Sequence, residues 1–483
     1  MNYRTRTLLK GGLSLLVLAG VVLVAFFGIH RPRAERENAE RAAKMVLDMD
    51  AGAVKSLEVK TEGVLTRLEK TGADEKNLAT WKVLEPVQDE ADDMAVNGLV
   101  GALDRLDFAA KIEGEDAKDL ERYGLASPRG EIRAQLANGK TVGLKIGKVN
   151  VFTNQIYIQR EGDPAVLATA SFNESALLKK TFDLRRKEVL RFENDKVTRL
   201  SLVQGKNRVD LERQGGAWRL VAPVQDEADE GEVTNLLNSL RNLRAASFPP
   251  SAEPAKAFGL DAPVVTASVT LSDRTQVVDL MSGAENQKGK FFARRREPPG
   301  PLCEIREYQL KNAQKTAFDL QARAPVRFDS KAVHKIKLAS ASELIVLEKK
   351  VIEVPATDKE PARTQDSWAI LSPMSAPARL YKVTSFLSTL SSLKASRFAG
   401  PKEGANLAEF GLDKPERTIT LLDKDDKELG VLQVGKTASD GVFVAGTSRP
   451  QICVVDGKKL ELFPKSAADL ADTPPPDGGS QAP

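Results

Sequence analysis

Apolar and polar residues follow two different periods along most of the chain. Downstream of each of three tryptophans, apolar residues recur at positions i, i+3, i+4, i+7 and i+10, which is the spacing of one helix face. Further on, stretches such as "EIRAQLANGKTVGLKIG" alternate apolar and polar residues around a polar turn, which predicts hairpins. The three helical sets are Val96, Leu99, Val100, Leu103 and Leu106; Val233, Leu236, Leu237, Leu240 and Leu243; and Val383, Phe386, Leu387, Leu390 and Leu393.

These periods belong to one unit that occurs three times. The segments "WKVLEPVQDEADD", "WRLVAPVQDEADE" and "WAILSPMSAPARL" align, and each is followed by an aromatic-Gly-Leu turn closed by proline. The pattern predicts an α+β fold of three tandem repeats, each a mostly antiparallel sheet covered by an amphipathic helix. The structural markers of the repeats are Trp81, Trp218, Trp368, Gly124, Gly259 and Gly411.

A long apolar stretch precedes the repeats. Gly11 to Ile29 contains 19 residues without a charge and reaches about 28 Å as a helix, which is enough to cross a bilayer core. A cleaved signal peptide has a shorter apolar region and a small-residue cleavage site, so "FFGIHRPR" favours a retained signal anchor. Basic residues flank both ends and leave the orientation open. The short N-terminus and long remainder favour a bulk outside the cytoplasm.

The chain therefore divides into seven predicted parts. They are a cytoplasmic tip (1–10), a transmembrane anchor (11–29), a juxtamembrane segment (30–50), repeat 1 (51–190), repeat 2 (191–326), repeat 3 (327–466) and a disordered Pro/Gly-rich tail (467–483).

Composition excludes one class of partner. Lys+Arg 71 against Asp+Glu 67 leaves a net charge of +4, so no basic surface for nucleic acid is expected. Basic runs such as "RRKEVLRF" and "ARRREPPG" are interpreted as solvated surface. The two cysteines, Cys303 and Cys453, could pair in an oxidising compartment but form no disulfide framework and no metal-binding spacing.

The order of Trp, Pro, Ala-Asp, Leu-rich helix and aromatic-Gly-Leu-x-x-Pro resembles the bacterial family called domain of unknown function 4340, over residues 51–466. The resemblance implies a protein anchored in the inner membrane with its bulk in the periplasm, often accompanying ABC-type export or gliding-type transport components. It supplies no catalytic residues. The third copy departs from the pattern, because Ala378-Arg379 replaces the Ala-Asp pair.

Two motifs with apparent chemistry are weak. Gly430 to Thr437, "GVLQVGKT", matches a phosphate-binding loop, but its middle is apolar strand and its aligned copies lack the motif. No nucleotide site is expected. His30 abuts the predicted span and His334 begins a strand, so neither a nucleophile-base pair nor a zinc set can be built.

The heptapeptide "PVQDEAD", present in copies one and two, is the strongest candidate site. Its acids could be weak calcium ligands or the paired carboxylates of a glycoside hydrolase. However, they directly precede a helix, where carboxylates cap free N–H groups, and the third copy keeps the helix pattern with "PMSAPAR". The weak calcium candidates are Asp89, Asp92, Asp226 and Asp229. The tryptophans are interpreted as core residues under the helix, with sugar stacking as the alternative.

The sequence thus predicts a non-enzymatic scaffold or adaptor without a cofactor. Its expected partners are the membrane and other envelope or ABC-transporter-associated proteins, with no nucleic acid and no nucleotide. Two alternatives stay open: an envelope polysaccharide or peptidoglycan hydrolase that uses Asp89/Asp92-type carboxylates, and a solute-binding subunit with an apolar pocket.

Overall fold

The computed structural model describes residues 42–250, 255–354 and 363–472. The predicted tip, the anchor at 11–29 and much of the juxtamembrane segment lie outside the described residues. None of the helices within these ranges is both long and apolar enough to cross a membrane. The described part extends past the predicted repeat boundary at 466, because Ala467–Leu470 form a helix and Leu470 is buried. Those residues are therefore part of the fold and not of a disordered tail.

The first sheet has nine strands in the order β4-β3-β2-β1-β6-β7-β8-β9-β5, and neighbouring strands are antiparallel. Its strands are β1 (Val54–Thr61), β2 (Val64–Ala73), β3 (Ala79–Glu85), β4 (Asp89–Glu90), β5 (Ala110–Ile112), β6 (Gly130–Leu136), β7 (Thr141–Asn150), β8 (Gln155–Arg160) and β9 (Val166–Ala170).

The second sheet has eight strands in the order β13-β12-β11-β10-β14-β15-β16-β17. They are β10 (Val197–Gln204), β11 (Asn207–Gln214), β12 (Ala217–Ala222), β13 (Asp226–Glu227), β14 (Val265–Leu271), β15 (Thr275–Ser282), β16 (Phe291–Glu297) and β17 (Leu302–Ile305).

The third sheet repeats the order of the first as β21-β20-β19-β18-β23-β24-β25-β26-β22. Its strands are β18 (Lys335–Ser340), β19 (Leu344–Val354), β20 (Arg363–Ser372), β21 (Ala376–Ala378), β22 (Ala395–Pro401), β23 (Arg417–Leu422), β24 (Glu428–Ala438), β25 (Gly441–Gly446) and β26 (Gln451–Val455).

Each repeat contains one long helix and several short ones. The long helices are α1 (Asp93–Asp104), α5 (Glu230–Arg241) and α8 (Leu380–Ser391). The short ones are α2 (Leu120–Tyr123), α3 (Glu174–Leu177), α4 (Thr181–Leu184), α6 (Glu307–Ala313), α7 (Ala317–Leu320), α9 (Gly457–Glu461) and α10 (Ala467–Leu470). The predicted α+β class with three mostly antiparallel sheets is confirmed.

The cores form where the sequence pattern places them. Every residue of the three helical sets is buried, and so are Trp81, Trp218 and Trp368. Trp81 shares one core with the apolar face of α1, and Trp368 shares another with that of α8. Burying a large apolar side chain contributes about 1.5–3 kcal/mol, so these faces hold the helices in place. The tryptophans are core residues, as interpreted from the sequence.

The described chain forms two compact units. The first comprises Met1–Gly216, Val221–Pro223 and Thr234–Thr316, and the second comprises Ala217–Leu220, Val224–Val233 and Ala317–Pro483, in both cases as far as they are described. Repeat 2 contributes to both units. Its acidic heptapeptide belongs almost entirely to the second unit, with the partners described below.

Candidate functional site

We call residues 86–93 and 223–230 the acidic segments, and residues 373–380 their counterpart. Each contains a two- or three-residue strand that pairs with the strand carrying the tryptophan: β4 with β3, β13 with β12 and β21 with β20. A long helix begins at the end of each segment. The segments therefore connect a sheet edge to a helix N-terminus.

The last two acids of each acidic segment stabilise that connection. Asp92 accepts a hydrogen bond from the Ala95 N–H at 3.0 Å. The next residue, Asp93, accepts one from the Trp81 N–H at 2.7 Å. In the second copy Asp229 accepts from the N–H groups of Gly231 and Glu232, and Glu230 accepts from the Trp218 N–H. Asp92 and Asp229 are thus helix N-caps.

Each segment also binds the end of its own repeat. We call residues 181–187, 317–323 and 467–472 the closing segments. Two main-chain hydrogen bonds recur in all three copies, at 2.8 and 2.9 Å. They are Asp92 N to Leu184 O and Arg186 N to Glu90 O; Asp229 N to Leu320 O and Ala322 N to Glu227 O; and Arg379 N to Leu470 O and Asp472 N to Pro377 O. The acidic segment is therefore a docking strand.

In the first copy a buried ion pair accompanies this docking. Arg185 donates to Asp89 Oδ2 from Nε at 2.8 Å and lies 2.7 Å from it through Nη2. Only 12% of the Arg185 side chain and 8% of the Asp89 side chain are exposed. Charge-assisted bonds of this kind are about twice as strong as neutral ones.

The next two basic residues of the closing segment continue the pattern. Arg186 donates to Glu90 and, at 3.1 Å, to Asp93, while Lys187 lies 3.6 Å from Asp92. Each of the three consecutive basic residues, beginning with Arg185, thus has a carboxylate of the acidic segment as its partner.

In the second copy the basic partners come from further along the chain. Arg449 donates to Asp226 through both terminal nitrogens, one at 2.9 Å, and Gln321 donates to the same carboxylate. The Arg449 side chain is only 1% exposed. Burial by itself would raise the pKa of Asp226, but the hydrogen bonds from Arg449 and Gln321 outweigh it and the pKa is lowered.

Lys394 makes a second ionic contact in this copy. It lies 2.9 Å from Asp229 and donates to Glu232 at 3.1 Å. Burial opposes both charges, yet the hydrogen bonds dominate. They lower the pKa of Asp229 and raise the pKa of Lys394.

The third copy has the opposite polarity. Arg379 stands at the position of Asp92, and its Nε lies 3.8 Å from Oδ1 of Asp472, which stands at the position of Arg186. Arg379 makes no side-chain cap on α8. The main-chain docking bonds are kept while the charges are exchanged.

The first two closing segments also contact the copy that follows them. Lys187 O accepts from Ala245 N and Arg323 O accepts from Ala395 N, both at 2.8 Å. Phe182 packs on Phe248 with ring centroids 5.8 Å apart, and Phe318 packs on Phe398 at 5.5 Å. In each pair a cation covers the ring that belongs to the following copy. Arg185 lies 3.5 Å from the Phe248 centroid, and Arg449 lies 4.9 Å from that of Phe398. Residues that the acidic segments hold are thus also the residues that join consecutive repeats.

Residues 44–46 make with repeat 1 the same main-chain contacts that a closing segment makes with the following copy. Phe108 N donates to Lys44 O at 3.0 Å and Val46 N donates to Leu106 O at 2.8 Å. In the following copy Ala245 N donates to Lys187 O and Val189 N donates to Leu243 O. Residues 44–46 therefore occupy on repeat 1 the position that residues 187–189 occupy on repeat 2.

The calcium candidates all have basic partners. Arg185 contacts Asp89, Lys187 contacts Asp92, Arg449 contacts Asp226 and Lys394 contacts Asp229. Across the described ranges, no group of three His, Cys, Asp or Glu residues could hold a metal ion. A calcium ion at these carboxylates would have to displace an ion pair.

The hydrolase alternative needs carboxylates that face a substrate-sized cleft. The cavity beside Asp89 and Glu90 has a volume of about 20 Å³ and is also lined by Arg186 and Arg295. That volume holds about one water molecule. The observed geometry gives these acids a structural role.

The sequence markers have backbone explanations. Gly124, Gly259 and Gly411 have φ values of 68°, 73° and 66°, the left-handed region that glycine occupies without strain. The phosphate-loop match lies inside β24, and a Cβ on Gly435 would stand 2.2 Å from the Phe410 carbonyl oxygen. Its glycine is required by the close approach of the aromatic-Gly-Leu turn, not by a phosphate.

Both cysteines are free and buried. Burial raises the pKa of the Cys303 thiol to about 12 and that of Cys453 to about 11. The disulfide left open by the sequence is therefore not formed, and both thiols are protonated at neutral pH.

The interpretation of the basic runs as solvated surface was wrong for several of their residues. Arg185 and Arg295 are each 12% exposed in their side chains, and Lys187 is 18% exposed. Arg295 lies 3.3 Å from Glu90 of the preceding copy. The available signal was charge complementarity, since "RRK" follows the first closing helix and "DEADD" precedes the first long helix.

Fold and site together define a class: a tandem α+β repeat protein whose acidic segments bind closing segments and following repeats. The model of the family described as domain of unknown function (DUF4340) matches residues 81–263, 218–365 and 368–475. The chain belongs to the DUF4340 family, as the motif order indicated. No curated protein matches the sequence.

Proposed function

We propose that this protein is a single-pass, membrane-anchored extracytoplasmic scaffold or adaptor. It would serve as an accessory component of an ABC-type export or gliding-type envelope assembly, binding partners without catalysing a reaction. The observation that carries the proposal is the use of the acidic segments. Their carboxylates, the best candidates for catalysis in the sequence, are engaged in ion pairs and caps that join the repeats.

The predicted span at residues 11–29 supports the membrane part of the proposal. Its 19 uncharged residues match the thickness of a bilayer core. Tandem repeats support the scaffold part, because stacked repeats present extended surfaces for partners. A hydrolase would need Asp89 to be accessible to substrate, whereas its side chain is 8% exposed and paired with Arg185.

The orientation is tested by cysteine labelling in intact cells and spheroplasts. Ser439 is exposed and the two native cysteines are buried, so Ser439→Cys adds one reactive thiol to a quiet background. A membrane-impermeant maleimide should label Ser439→Cys in spheroplasts and should label Asn2→Cys only after lysis. Labelling in the reverse order would contradict an extracytoplasmic bulk.

The partner is tested by cross-linking in intact membranes, detergent solubilisation and quantitative identification of co-purified proteins. We expect a transport or envelope component in near-stoichiometric amount, absent from a control with another single-span protein as bait. Purified full-length protein should release no product from peptidoglycan or polysaccharide. Product release that Asp89→Asn abolishes while the fold is retained would favour the hydrolase, and recovery of no envelope partner would contradict the scaffold.

A further inference from the structure

The tip of the β7–β8 hairpin exposes apolar residues. Phe152 is 97% exposed and Val151 is 78% exposed, and Phe172 in the loop after β9 is also 78% exposed. Soluble surfaces carry single exposed apolar residues without consequence, but a group of them is typical of an interaction site.

Hydrogen bonds hold the two loops together and fix the tip. Asn150 Oδ1 accepts from Phe152 N at 3.0 Å, while its amide donates to the Tyr157 hydroxyl. Ser171, next to Phe172, donates from Oγ to Asn154 Oδ1 at 2.6 Å and from its N–H to Asn154 O. The exposed aromatic rings are therefore presented by an ordered tip.

Only the first copy has an apolar tip. The corresponding hairpin between β15 and β16 carries "GAENQKGK", and the one between β24 and β25 carries "SD". The three hairpins share a strand order and each has exposed residues at its tip, so the fold does not require apolar residues there. The difference singles out the copy that follows the predicted anchor.

The start of the described chain lies toward the same end of these strands as the tip. Lys44 O accepts from Phe108 N, β5 pairs with β9 through Ala110 and Ala168, and β9 pairs with β8 through Ala170 and Gln155. The tip, residues 151–154, directly precedes Gln155. Residues 30–41 separate the predicted anchor from the described chain and can span at most about 40 Å.

We propose that Val151, Phe152 and Phe172 insert into the outer surface of the bilayer that holds the anchor. This inference rests on the proposed membrane anchoring. Apolar side chains at a bilayer surface are stabilised by removal from water. The contact adds a second membrane attachment and orients repeat 1 against the membrane. Lys148 is exposed near the end of β7, where it favours anionic headgroups.

The test uses the full chain in nanodiscs of phosphatidylethanolamine and phosphatidylglycerol. Thr153→Cys carries an environment-sensitive NBD label beside Phe152, and the buried native thiols remain unlabelled. The matched control is Asn286→Cys on the polar tip of repeat 2. We expect a blue-shifted emission at position 153 and strong quenching by lipids that carry a doxyl group, with neither effect at position 286. Adding Val151→Ser, Phe152→Ser and Phe172→Ser should remove both effects at position 153.

The possible failures differ from one another. If the chain enters nanodiscs but position 153 stays as water-exposed as position 286, the inserting tip is overturned and the anchor stands. If the chain does not enter nanodiscs, the anchored scaffold and the tip fall together. If position 153 is shielded in native membranes but not in nanodiscs, a protein partner covers the tip and the lipid assignment is overturned.

Discussion

At the scale of single residues, the most consequential contact is the ion pair of Asp226 and Arg449. A guanidinium that is 1% exposed has lost its water and depends on its carboxylate partner. Such a pair adds little relative to apolar residues of the same size, but removing one member leaves a buried charge without compensation. Gln321 supplies a further hydrogen bond to the carboxylate.

Asp226→Ala should therefore lower the free energy of unfolding by about 3–5 kcal/mol. The matched control is Asp273→Ala, which removes an exposed acid paired with Arg274 and should cost under about 1 kcal/mol. Arg449→Met in the Asp226→Ala background should recover part of the loss. Urea denaturation measures all four proteins, and equal effects of the two single aspartate substitutions would contradict the buried pair.

The glycine of the phosphate-loop match makes a second prediction at this scale. Gly435→Ala places a Cβ 2.2 Å from the Phe410 carbonyl oxygen, which is backbone and cannot rotate away. We expect a loss of at least about 2 kcal/mol, as in overpacked cores. Gly98→Ala in α1 has open space around the new methyl group and should stabilise by up to about 1 kcal/mol. Thermal unfolding of both variants is the measurement, and a tolerated Gly435→Ala would refute the close approach.

At the scale of elements, a helix N-terminus and a docking strand share the same few residues. The side chain of Asp92 caps α1 while its main-chain N–H binds the closing segment. In the third copy the main-chain bond is kept by Arg379 without a side-chain cap. Docking is therefore a backbone property, and capping and charge are added by the side chains.

Substitutions at the cap separate these contributions. Asp92→Ala should cost about 1 kcal/mol, and Asp92→Ser should recover most of it, since a hydroxyl also accepts from the third helical N–H. Arg379→Ala should cost less than Asp92→Ala, because Arg379 forms no cap. Chemical denaturation provides the comparison. If Asp92→Ser were as unstable as Asp92→Ala, the charge opposite Lys187 and not the cap would be the source of stability.

At the scale of the whole molecule, the free energy of unfolding should depend on pH. Burial by itself would raise the pKa of Asp226 and of Asp229, but the hydrogen bonds that they accept outweigh it and hold both pKa values below the usual 3.8. The folded protein therefore stabilises these carboxylates in the ionised form. Their contribution is complete above about pH 5 and is lost as the pH falls through 3.8 and then through the lower folded values.

Urea unfolding between pH 2.5 and 7 should show a falling free energy of unfolding below about pH 5. Asp226→Asn combined with Asp229→Asn should be less stable at pH 7 and should show a shallower acid dependence, because two of the protonating groups are gone. An unchanged slope would place the acid sensitivity in other carboxylates.

Local structure was predictable from the sequence and the junctions were not. The faces of α1, α5 and α8, the three buried tryptophans and the strand character of residues 430–437 all follow from periodicity within about a dozen residues. The ion pairs join residues 96 positions apart for Asp89 and Arg185, and 223 apart for Asp226 and Arg449. A single sequence shows complementary runs such as "DEADD" and "RRK", but it does not fix which individual charges meet. The acids that resembled a functional site in the sequence are therefore engaged in ion pairs within the fold.

The exchanged polarity of the third copy has a consequence for how the chain was assembled. The backbone docking lies within each repeat and is common to all three copies, so it does not distinguish which copy follows which. Arg295 of the second copy meets Glu90 of the first, and Arg449 of the third meets Asp226 of the second. The side-chain charges therefore favour a copy with an acidic segment, and not the third copy, ahead of each following repeat.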